Sequence, residues 1–176
     1  MKQYKAEASR LKRELKNLNA SRVSLTDPKE IESARSQVHK LQMEYNDVLT
    51  WLKDNLKLQE GEYTLNEIRT PKGGPLYEIN MNGRDVNLMD CKLSEFPDYI
   101  QFGEIIGGNF ICSYSKLTST KGFPRTVGLT FDCSFSQIKS LDGMPELVDR
   151  DFIWLNSPFT DEEIRDKVRV TCRVFR

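Results

Sequence analysis

The sequence predicts an α+β protein. An N-terminal helical hairpin or coiled coil spans residues 1–60, and a short repeat solenoid spans 61–176, with a capping hairpin at its start and a C-terminal cap over 160–176. Three observations carry this reading. Residues 1–60 contain no glycine and a single proline, and their apolar residues recur at steps of three and four. Residues 110–130, FICSYSKLTSTKGFPRTVGLT, are followed at once by FDCSFSQIKSLDGMPELVDRD, nearly the same text twenty-one residues on. The segment TDEEIRDKVRVTCRVF then breaks the period and supplies a short helix and an apolar alternation.

In the first helix Tyr4, Ala8, Leu11, Leu15 and Leu18 share one face. NASRVSLTDP interrupts it. The second helix, about 28–58, opens on DPKE: Asp27 can cap, Pro28 suits the first turn, and Glu30 completes a capping box. Ile31, Ala34, Val38, Leu41, Tyr45, Val48 and Leu52 then alternate three and four, the period of a left-handed coiled-coil seam. The short connection favours folding back as a hairpin, so the chain is expected as a monomer, with a coiled-coil homo-oligomer as the other arrangement. Leu49, Trp51, Leu56 and Leu58 widen the apolar face toward the end of helix two.

Asn82-Gly83 predicts a two-residue hairpin turn that sets Ile79 opposite Val86 and Tyr77 opposite Leu88. The text then runs in copies near 84–107, 108–128, 129–149 and 150–160. Val86 and Leu88, Phe110 and Cys112, Phe131 and Cys133, and Phe152 and Trp154 are the inward pairs of successive strands. Cys91, Ser115, Ser136 and Ser157 turn the chain and are placed to bond the neighbouring coil. Leu93, Leu117, Ile138 and Leu141 line the return path with the prolines. No copy can bury its core alone, so the copies stack. Thr160, with Glu163 three residues on, forms a capping box, and Val168, Val170, Cys172 and Val174 alternate as one closing strand.

This wording, F-x-C-S-x-S-x-L-x-S-x-x-G-x-P, resembles the degenerate leucine-rich repeats of proteins from T-even-type tailed bacteriophages, over about 84–160. Thr120 stands where Leu is usual, and Ser fills the Asn position at 115, 136 and 157. The resemblance implies protein–protein recognition, with a host or phage protein as partner.

Charge and composition bound the alternatives. The 176 residues carry zero net charge, with 38% hydrophobic and 30% charged side chains, a soluble globular balance. Residues 1–26 hold seven Lys/Arg against two Glu. Lys12, Arg13 and Lys16 on that basic helix are therefore candidates for electrostatic contact, with nucleic acid as a further possible partner. No apolar run approaches a membrane span, and residues 1–25 lack a signal peptide's apolar core. Four cysteines without a CxxC pair read as reduced thiols, so the expected compartment is the cytoplasm, that of the host if the gene is a phage's. Close-spaced metal ligands, a phosphate loop and a paired nucleophile and base are missing from the sequence. His39 is the one histidine and lies beside the helical seam. The expectation is no enzyme, no cofactor and no metal.

The binding surface is expected on the sheet's outer face. Residues flanking the inward pairs point there, among them Asp85, Asn87, Asn109, Ser113, Thr130, Ser134 and Asp151. The partner contacts are placed at Met89, Ile111, Tyr114, Asp132, Phe135, Ile153 and Leu155, because exposed aliphatic and aromatic clusters mark partner sites.

Overall fold

A computed structural model describes residues 46–59, 61–69 and 75–176. The chain divides into two units between Asp54 and Asn55. Residues 46–56 are helical (α1), with Val48, Leu52 and Leu56 buried. These are the only parts of the coiled-coil expectation within the described residues. The first helix, its basic residues, His39 and most of the seam lie outside them.

The described residues from 55 onward form a β-solenoid of about four turns. β1 (Thr64–Arg69) and β2 (Pro75–Asn80) pair antiparallel, and β2 pairs parallel with β4 (Ile100–Phe102) on its other side. Two parallel ladders then run along the stack. β3 (Val86–Asn87), β6 (Phe110–Ile111), β8 (Phe131–Asp132), β10 (Phe152–Ile153) and β12 (Val174–Phe175) form one, and β5 (Ile105–Ile106), β7 (Thr126–Val127), β9 (Leu147–Val148) and β11 (Arg169–Val170) the other. Between β10 and β11 lies a helix, α2 (Asp161–Lys167), whose capping box of Thr160 and Glu163 is formed.

The inward pairs sit where the alternation puts them: Phe110, Cys112, Phe131, Cys133 and Phe152 are fully buried, and Trp154 nearly so. Their rings form a continuous stack, with Phe110 to Phe131 at 5.7 Å and Phe131 to Phe152 at 5.1 Å. Each coil therefore supplies half of its neighbour's core.

Five expectations change. The turn at Asn82-Gly83 exists, with both residues at positive φ and Arg84 N–H donating to the Met81 carbonyl at 3.0 Å. It is a corner and not a hairpin: both edges of β2 are taken by β1 and β4, while β3 pairs, among the described residues, only with β6. The hairpin of the structure is β1–β2, one step earlier in the chain. Second, the C-terminal alternation is two strands in two sheets. β11 adds to β9 and β12 to β10, and Cys172 is exposed where the chain turns between them.

Third, the return path carries its own parallel ladder. Ile106, Val127, Val148 and Val170 are buried at matching positions along it, and Leu141 lies only half-buried outside that line. Fourth, the side-chain ladder between coils is not made by the turning serines. Ser115 and Ser136 hydroxyls are buried without a partner. Asp85 accepts instead from the Asn109 backbone N–H at 2.7 Å, Asn109 from Thr130 N–H at 3.1 Å, and Asp151 from Arg173 N–H at 3.2 Å. These residues precede their strands at the corner, where the carboxylate or amide reaches the next coil's open N–H. Fifth, Ser113 and Ser134 are buried and do not face outward. The backbone has already begun to turn there, which rotates them beneath the surface.

Candidate functional site: an aromatic ridge along the stack

Register alone places the first column of the outer face. Parallel pairing aligns Asn87, Ile111, Asp132, Ile153 and Phe175, with neighbours about 4.8 Å apart. Ile111, Asp132 and Ile153 are partly exposed, and Asn87 and Phe175 more so. The carboxylate of Asp132 accepts from Ser134 N–H at 2.9 Å, and Asn87 Oδ1 accepts from Met89 N–H at 3.0 Å. These two side chains brace the strand exits.

The second column follows at the exits themselves. Asp90, Tyr114, Phe135 and Asn156 all adopt the left-handed backbone region, at φ 58°, 56°, 53° and 66°. Bonds to the next coil hold three of them there: Asp90 N–H to Ser113 O at 3.2 Å, Tyr114 N–H to Ser134 O at 2.9 Å, and Phe135 N–H to Leu155 O at 3.2 Å. Aspartate and asparagine tolerate this conformation; for an aromatic side chain it costs about 1–2 kcal/mol. Tyr114 and Phe135 are nevertheless exposed, at 57% and 44%, and stack on each other at 4.9 Å. Met89 and Leu155 stand exposed at the two ends of the same ridge, with the small buried Ser113 and Ser134 between them. The Ser134 hydroxyl accepts from Leu155 N–H at 3.1 Å.

Five of the seven partner-contact residues read from the sequence thus fall on these two columns, and Met89 and Leu155 lie in the row between them, aligned with the buried Ser113 and Ser134. The positive φ at Tyr114 and Phe135 is new. Its only trace in the sequence is the alignment of both aromatics with Asp90 and Asn156, residue types that favour such turns. Among the described residues four further large hydrophobic residues are exposed, Ile68, Tyr99, Ile105 and Phe175. Phe175 extends the first column and lies under the Arg173 guanidinium at 5.1 Å, and Ile105 stands 65% exposed at the edge of the second ladder.

Cys112 and Cys133 occupy adjacent coils beneath this face. Burial pushes both thiols well above their usual value, with smaller contributions from the Asp132 charge and from neighbouring thiols. Among the described residues no group of His, Cys, Asp and Glu is placed to hold a metal ion, and no helix is long and apolar enough to cross a membrane.

No family model, curated protein or solved structure matches the chain.

Proposed function

We propose that this is a non-enzymatic protein-binding module whose working surface is the ridge of Tyr114 and Phe135 with the Ile111–Asp132–Ile153 column beside it. One observation carries the reading: two aromatic residues are kept exposed in a backbone conformation that disfavours them, where Asn or Asp serves the fold in the neighbouring coils. Strain retained at a surface position points to use of that position. Aromatic rings flanked by aliphatic side chains beside the Asp132 carboxylate have the composition of an interface hot spot. The resemblance to phage leucine-rich repeats adds the expected partner, a host or phage protein whose surface is occluded on binding.

The test is affinity capture followed by titration of the captured partner. Ile111→Asp, or Tyr114→Asn combined with Phe135→Asn, should weaken binding at least about tenfold, the size of a hot-spot loss, while the melting temperature stays near that of the parent. Replacing Lys12, Arg13 and Lys16 by Ala should weaken it less, through attraction that salt screens. If the triple variant abolishes binding and the ridge variants retain it, the ridge is not the site.

A further inference from the structure

Among the described residues both ends of the five-stranded ladder are open: β3 is paired only with β6, and β12 only with β10. Val86 and Leu88 give their N–H groups to the carbonyls of Asn109 and Ile111, at 2.8 and 2.6 Å. Strand alternation then turns the N–H and C=O of Asn87 outward. At the far end Phe152 and Trp154 donate to the carbonyls of Arg173 and Phe175, at 2.8 and 2.6 Å, which leaves the N–H and C=O of Val174 outward. The stack repeats one pattern throughout: Phe110 N–H donates to Thr130 O at 2.9 Å, and Phe131 N–H to Asp151 O at 3.0 Å. Continued by one more coil, it directs Val174 N–H to an Asp85 carbonyl and Asn87 N–H to the Val174 carbonyl. The two open edges are complements of each other.

The edge of β3 is also accessible. It borders a groove of about 740 Å³ lined by Leu56, Leu58, Met81, Arg84, Asp85 and Met89. Glu62 and Asp90 add negative charge there, and Lys57 positive. The opposite end presents Arg169 and Arg173, both exposed, with Arg176 beside them paired to Asp161. In the column Asp85, Asn109, Thr130, Asp151, Arg173, the next position would bring a second Asp85 beside Arg173. That guanidinium already has Asp151 on its inner side, at 3.5 Å. The other ladder shows the completed arrangement, Arg125 between Glu104 and Glu146 at 3.9 and 2.8 Å.

We propose that a second copy of this chain is the occupant: the β12 edge of one copy pairs with the β3 edge of the next, continuing the parallel ladder head to tail. Such a contact joins unlike surfaces and does not close on itself, so assembly is open-ended. The pairing is short, two residues per edge, so it is concentration-dependent and weakened by salt.

Analytical ultracentrifugation of the full chain from about 5 to about 200 µM, a range that spans weak association, tests this. The expected result is a mass that rises with concentration past the dimer and falls back in high salt. Val174→Pro removes the outward N–H while sparing the bonds to β10, and Arg173→Glu reverses the charge. Each should give a monomer over the same range, with the parent's circular dichroism. Should Val174→Pro disturb the fold, Arg173→Glu alone decides. A parent that stays monomeric throughout overturns the proposal. So does an oligomer that survives both substitutions, or one that only Leu41→Asp in the coiled-coil seam disperses.

Discussion

At Tyr114 and Phe135 two magnitudes compete. Replacing both by Asn relieves left-handed strain of about 1–2 kcal/mol per residue and forfeits one exposed stacked pair, about 0.5–1.5 kcal/mol. The double variant should therefore unfold in denaturant at or slightly above the parent's midpoint, a result that a purely structural aromatic pair would not produce. The thiols supply a second residue-scale prediction. Cys172 is exposed, whereas Cys91, Cys112 and Cys133 are buried. One thiol per chain should react at once with a disulfide reagent and three only after unfolding. In the unfolded chain Cys112 and Cys133 ionise near pH 8.5, but in the fold they stay protonated to higher pH. Above that value the unfolded state binds fewer protons than the native one. The contribution of these two thiols to stability is level below about pH 8.5 and falls as pH rises beyond it. Denaturant midpoints at increasing pH should show this decline, and Cys112→Ala with Cys133→Ala should flatten it.

Corners and caps set the behaviour of the elements. A Cβ on Gly128 would lie 2.6 Å from the Gly107 carbonyl oxygen of the coil below, and that atom is backbone. Gly128→Ala must push two coils apart, with an expected loss of about 3 kcal/mol or more. Gly61 is the contrast: it sits at φ +93° with nothing near its missing Cβ. Gly61→Ala should cost only the conformational term, about 1–2 kcal/mol. α2 has seven residues, too few to be stable by itself, so its cap matters. Thr160→Ala loses the bond from Glu163 N–H to the hydroxyl at 3.2 Å and the hydroxyl's own bond to the Glu163 carboxylate at 3.1 Å. It should lower stability by about 1 kcal/mol, read as a shift in thermal midpoint.

Across the whole solenoid, stability comes from contacts between neighbouring coils, so a substitution counts by how many coils it empties. Phe131 stacks on both Phe110 and Phe152 and is fully buried. Phe131→Ala should cost about 3–5 kcal/mol. The sequence set Leu141 beside it as a core residue, but Leu141 is only half-buried. Leu141→Ala should cost well under half as much, because less apolar area leaves water there on folding. Equal losses in equilibrium unfolding would contradict the stacking described above.

The sequence by itself determined the 21-residue period, the inward pairs from Val86 to Trp154, the capping box at Thr160, and the face that carries Ile111, Asp132 and Ile153. All of these follow from local alternation or from residues a few positions apart, and stacking identical coils preserves them. Tertiary structure alone decided which strand each strand meets. Alternation says which side of a strand faces the core, but hydrogen bonds choose the neighbour, and they formed between coils rather than across Asn82-Gly83. The same bonds fixed the backbone at Tyr114 and Phe135, split the C-terminal alternation between two sheets, and moved the side-chain ladder from the turning serines to Asp85, Asn109 and Asp151. Each outcome depends on groups about twenty residues apart in sequence, beyond the reach of any local pattern.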